Sequence, residues 1–117
     1  MASHLFHIIG RDDWADAVER GRHVPDDYVV DGFIHLSEKG QVLRPANLLY
    51  KGRNDLVLLV IDPGLLRAEV VYEPGSHGEQ ELFPHLYGPL NLDAVLEVVT
   101  FLPDADGAFV LPPGLGD

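Results

Sequence analysis

The run Asp55-Leu56-Val57-Leu58-Leu59-Val60-Ile61-Asp62 leaves this chain the fewest choices. Six aliphatic residues stand between two aspartates, apolar at both parities, and strand side chains point alternately to opposite faces. Such a segment reads as a central strand buried on both sides, so the rest of the chain has to supply apolar cover above and below it. With 117 residues, 46% of them apolar and 23% charged, one domain with one core is the natural outcome and a disordered chain is excluded.

Around that strand the expected elements follow in order. Residues 4 to 9 read as a first strand ended by Gly10. A short helix capped by Asp12 carries Trp14, Ala17 and Val18 at one-turn spacing, with Gly21 as its stop. Residues 22 to 31, with Pro25, Asp26, Asp27 and Asp31, read as a surface connection. Phe33 to Leu36 is a second strand. Ser37 is placed as the N-cap of a helix whose Val42, Leu43, Ala46, Leu49 and Tyr50 form an apolar stripe. Pro45 predicts a kink there, or a short first helix followed by a second. Pro63-Gly64 is a turn, and Glu69 to Glu73 a strand with Val71 between two carboxylates on one side. Glu73 to Gly78, including Ser76 and His77, is a loop, and Ala94 to Leu102 a last strand. The connections after residue 55 are too short for crossover helices. The expected architecture is therefore α+β: a single domain over 1–117, with two early helices and a curled, split sheet of mixed or antiparallel strands. Its core covers about residues 4–103, and a Pro/Gly-rich tail over 103–117 is anchored by Phe109, Val110 and Leu111.

Three apolar segments each carry one histidine: Leu5-Phe6-His7-Ile8-Ile9, Gly32-Phe33-Ile34-His35-Leu36-Ser37 and Glu81-Leu82-Phe83-Pro84-His85-Leu86-Tyr87-Gly88-Pro89-Leu90. Alternation places Phe33, His35 and Ser37 on one face, and Phe83, His85 and Tyr87 on one face. A buried imidazole must find hydrogen-bond partners, so three such histidines point to a shared cleft. His4, His23 and His77 read as surface residues. Glu81 stands at the edge of an apolar run, either as a desolvated carboxylate or as a solvated loop-end charge. Tyr87 suits ligand stacking and core filling equally, and Ser37, without a nucleophile elbow, reads as a cap.

Net charge is −11, and all eight Lys and Arg lie between Arg11 and Arg67. That balance argues against long nucleic acids and anionic membranes as partners and leaves room for a small molecule or nucleotide with few phosphates. The absence of cysteine removes disulfides, thiolate metal ligands and a cysteine nucleophile. With no signal segment and no apolar run of membrane-spanning length, the expected compartment is the cytoplasm; the oligomeric state is left open.

The histidine segments, with Asp55 to Asp62 and Phe83 to Leu90 in that order, resemble the bacterial domain of unknown function 952 family over roughly residues 4 to 103. That family is similar at fold level to ADP-ribosyltransferases and to the RNA 2′-phosphotransferase built on the same scaffold. The resemblance implies two small curled sheets around a cleft for a dinucleotide such as NAD. His7 would take the first position in it, His35 with Ser37 the second, and Glu81 or His85 the third. It also implies glycosidic chemistry at an NAD-like ribose: His35, Glu81 and His85 would be the catalytic set, with Glu81 stabilising positive charge, and His7, Ser37 and Tyr87 would bind ligand. No arginine lies inside the histidine segments, and Arg11 and Arg44 are the cationic candidates. Two other readings stay open, a non-enzymatic ligand-binding module and a metal-dependent hydrolase using His7, His35 and His85. For the second, no His-Glu-x-x-His or comparable spacing presets the ligands, and no Gly-rich nucleotide motif is present.

Overall fold

The computed structural model describes residues 3–25, 28, 31–75, 78 and 80–115. Asp26, Asp27, Ser76 and His77, part of the expected surface connections, lie outside the described residues.

Leu56–Ile61 forms β4, with all six residues buried. It is the middle strand of an antiparallel sheet, flanked by β1 (Leu5–Gly10) and β8 (Val95–Phe101). Its alternation divides the core in two. Val57, Leu59 and Ile61 join Leu5 and Ile9 in a cluster with Ile34, Leu36, Leu86 and Leu90. Leu56, Leu58 and Val60 join Phe6 and Phe101 in a second cluster with Val42, Ala46 and Phe109. The double burial expected of this strand is thus met by different partners on its two faces.

The first cluster is roofed by a second antiparallel sheet, ordered β3 (Ile34–His35), β6 (Leu82–Tyr87), β5 (Glu69–Pro74). The second is covered by a helix, α2 (Leu43–Leu49), and by the tail, where Phe109 stacks on Phe101 at 4.7 Å. Asn47 pins the tail by donating to Phe109 O and accepting from Phe109 N–H. Val110, expected as an anchor, is exposed instead. The two sheets are joined where Phe6 and Ser37 exchange backbone hydrogen bonds of 2.8 and 2.9 Å. A two-stranded ladder of β2 (Arg22–His23) and β7 (Leu90–Asn91) completes the pairing. Every ladder among the described residues is antiparallel. No helix among the described residues is long and apolar enough to cross a membrane.

Both expected helix caps are displaced, for identifiable reasons. α1 runs Arg11–Arg20, starting directly from β1 rather than at Asp12. Arg11 N–H donates to Asp55 O at 2.7 Å, so that helix-end amide is satisfied by the neighbouring strand instead of a side chain. Gly21 ends the helix in the left-handed conformation, as expected. Ser37 caps nothing, because its backbone belongs to the bridge with Phe6. The cap is Glu38, which with Gln41 forms a capping box on the 3₁₀ turn Lys39–Gln41. Pro45 then falls in the first turn of α2, where a missing N–H costs nothing.

Candidate functional site

In the second sheet, the β3–β6 pair brings two of the three predicted histidines face to face. His35 on β3 lies directly opposite His85 on β6. Leu36 N–H donates to Pro84 O at 3.0 Å, so the His35–His85 pair is of the non-hydrogen-bonded kind, in which side chains sit closest. The ring centroids are 5.6 Å apart and nearly perpendicular, at 72°. Ile34 and Leu86 turn into the core, which sends His35 and His85 to the opposite face of the sheet.

On that face the two imidazoles are surrounded by rings and carboxylates. Phe33 stacks flat on His85, 3.9 Å between centroids and 14° between planes, and lies 5.5 Å from Tyr87. His35 Nε2–H donates to Asp31 Oδ2 at 2.8 Å. His85 Nδ1–H donates to Glu73 Oε1 at 2.9 Å, and Tyr87 O–H donates to the same oxygen at 2.5 Å. Glu73 reaches His85 because β5 pairs Val71 with His85, making Glu73 its diagonal neighbour. The two donors, Tyr87 first and His85 second, hold the Glu73 carboxyl below the usual carboxylate range, and the same bond pushes the Tyr87 hydroxyl up. His85 is 2% exposed, and its Nε2 is buried without a hydrogen-bond partner. Tyr87 and Glu73 reach solvent above it. A deeply buried imidazole nitrogen with no protein partner is uncommon.

The remaining predicted residues go elsewhere. His7 meets the His35 backbone, not its ring: its Nδ1–H donates to His35 O at 2.8 Å. Its Nε2 therefore accepts, at 3.2 Å, from Nε2–H of His23. Burial, and secondarily the nearby His23, lower the His7 pKa to about 3, so the ring is neutral in ordinary conditions. His23 is buried, not superficial as its Pro- and Asp-rich surroundings suggested. The three-histidine set thus divides: His35 and His85 stay together, and His7 pairs instead with His23. Both nitrogens of His7 are engaged within the protein, and no group of three or more His, Asp or Glu among the described residues has metal-holding geometry. Glu81 is exposed and accepts from Gln41 Nε2 at 2.9 Å. It lies about 13 Å along the strand from His85. The carboxylate that accompanies His85 is Glu73. Ser37 is buried and fixed by its bridge to Phe6.

Besides Glu73, the cluster adds Asp31 and Phe33. The clue to Glu73 was its parity with Val71; what could not be read was the register of β5 against β6, a tertiary property.

The sequence matches the profile described as "Protein of unknown function (DUF952)" over residues 8–98. Among solved structures it is similar to the crystal structure of protein CC0527 from Caulobacter crescentus, at 33% identity and TM-score 0.82, over 92% of this chain and 94% of that one. The solution NMR structure of CC0527 aligns at 33% identity and TM-score 0.77, over 91% and 90%. A crystal structure of its double-methionine variant gives 32% identity and TM-score 0.82, over 92% and 94%. Comparison with curated proteins gives no match. With the profile spanning most of its length and the CC0527 structures agreeing nearly end to end, the chain belongs to the DUF952 family of proteins of unknown function.

Proposed function

We propose that the protein binds a small nucleotide-like molecule, with NAD the first to test, on the Phe33–His35–His85–Tyr87 face, and acts on its ribose. One observation carries the reading: Glu73 is held ionised and oriented by Tyr87 and His85 at a solvent-accessible position beside aromatic rings. Aromatic faces suit the stacking of a base or nicotinamide. A fixed carboxylate suits a ribose on which positive charge develops as the glycosidic bond breaks and its electron pair leaves with the nicotinamide. A water or acceptor hydroxyl would then bond to the ribose carbon, and His35, one-third exposed and oriented by Asp31, would take its proton. The fold-level likeness to ADP-ribosyltransferases implied by the histidine segments supports the same chemistry, with Glu73 in the role first given to Glu81.

A binding module without chemistry is the second reading, favoured by Phe33 lying flat over His85 and closing the ring off. Thermal-shift and calorimetric titration with NAD and ADP-ribose, followed by assay for released nicotinamide, separates these. The enzyme reading expects a raised Tm, nicotinamide release, and loss of both in Glu73→Gln but not in Glu81→Gln. Binding with NAD recovered intact supports the module. No shift with either ligand, or equal behaviour of the two glutamine variants, removes the proposal.

A further inference from the structure

A second hollow of about 500 Å³ lies where the end of α1, β1 and β2 meet. It is within the range of small-ligand sites. His7 and His23 form one wall, and Arg20, Arg22, Arg53 and Tyr50 contribute to the rest. The lining carboxylates among the described residues are Asp13 and Asp16. With Asp55 on Arg53, arginines and carboxylates balance here, in a chain whose net charge is −11, and Arg20 and Arg22 are the cations not held by Asp55.

The fold assembles this set from residues that the sequence scatters. Arg20 closes α1, left-handed Gly21 turns the chain, and Arg22 and His23 enter β2 at once, so the turn places two guanidinium groups and an imidazole at the same hollow. Arg53 comes from the approach to β4. Its guanidinium is held by Asp55, through Nε to Oδ1 at 3.0 Å and Nη2 to Oδ2 at 2.8 Å, and it lies over the Tyr50 ring. His7 fixes the adjacent ring: with Nδ1–H committed to His35 O, its Nε2 is an acceptor and holds His23 by its Nε2–H.

We infer that this hollow binds a small phosphate-bearing anion, at a site separate from the Glu73–Tyr87 face and independent of the nucleotide reading made for that face. The guanidinium forks of Arg20 and Arg22 match the oxygens of phosphate in pairs, with Arg53, already held by Asp55, adding charge behind them. The acidic remainder of the molecule sets the size of the ligand. A long polyanion would extend past Arg20 and Arg22 into a negative field, whereas phosphate or pyrophosphate stays beside them.

The test is calorimetric titration of the full chain with inorganic pyrophosphate and with phosphate, at neutral pH and low salt. Saturable binding is expected, weakened by about tenfold or more in the Arg20→Ala/Arg22→Ala double variant, since two charge-assisted contacts are lost. Both side chains are exposed, and far-UV circular dichroism verifies that the variant is folded. Arg67→Ala is the control for bulk charge, because Arg67 is exposed and paired with Asp93 outside the hollow; its affinity should stay within about twofold of wild type. Absence of saturable binding at millimolar pyrophosphate overturns the inference. So does an equal loss in Arg67→Ala and in the double variant, which would reduce the effect to net charge.

Discussion

β4 and β6 have equal length and opposite uses. β4 buries all six of its side chains, every one aliphatic, and shares them between two clusters. β6 buries four, but only one face of it is core: Leu86 turns inward, and His85 turns to the outer face among Phe33, Glu73 and Tyr87. Burial alone does not tell the two apart. What separates them is whether a buried side chain brings polar atoms that need partners, and β6 leaves one such atom, His85 Nε2, unsatisfied. The β1–β4–β8 sheet supplies stability from shape, and the β3–β6–β5 sheet carries a polar arrangement that stability alone does not require.

The sharpest break in this contrast is Leu58→Ala. Leu58 is fully buried in the second cluster, and its truncation should cost about 2–5 kcal/mol in chemical denaturation, through lost burial and the cavity left behind. Next in size is the acid sensitivity set by His7. Its folded pKa, about 3, lies below its ordinary 6.5, so the unfolded chain takes up the proton first. The stabilisation is complete above about pH 6.5 and is lost as pH falls toward 3, a change that denaturation curves across this range should reveal. His7→Gln keeps a donor and an acceptor without titrating, and should flatten that slope.

Gly88→Ala probes the end of β6. A Cβ there would lie 2.6 Å from the Ala68 Cβ, so the chain must shift, at a cost of about 1–3 kcal/mol measured the same way. Tyr87→Phe should have the smallest effect on folding and the most selective one on function. It removes the hydroxyl that holds Glu73, and the expected result is an unchanged denaturation midpoint with a diminished Tm response to NAD. Because Glu73 has a depressed pKa when folded, its contribution is present above the ordinary glutamate range and fades as acid protonates it. Should Tyr87→Phe unfold the protein as readily as Leu58→Ala, the division of labour between the sheets fails.

What was legible in the sequence follows the same division. Leu56–Ile61 announces itself because apolar residues at both parities admit few alternatives, and Gly21 marks the end of α1 because the left-handed turn favours glycine. The caps at Asp12 and Ser37 were misplaced because Asp55 and Phe6, remote in sequence, bond the backbone of Arg11 and Ser37, so that α1 starts before Asp12 and the next turn takes Glu38 as its cap. The two-residue strands β2 and β7 are too short to show a period, so His23 passed for a surface residue. The α+β class with antiparallel sheets was readable from the order of elements, and the shared face of His85 and Tyr87 from alternation. The exchange of Glu81 for Glu73, and the arginines that gather around His7, depend on strand register and on a turn geometry that no local pattern encodes.

The paired amides of Phe6 and Ser37 give this arrangement a clock. Each is locked only while the two sheets remain in contact, so their deuterium uptake times the parting of the molecule along that seam. A ligand that stapled the halves together would slow both amides in step, while one that merely rested on the outer face would leave their exchange untouched.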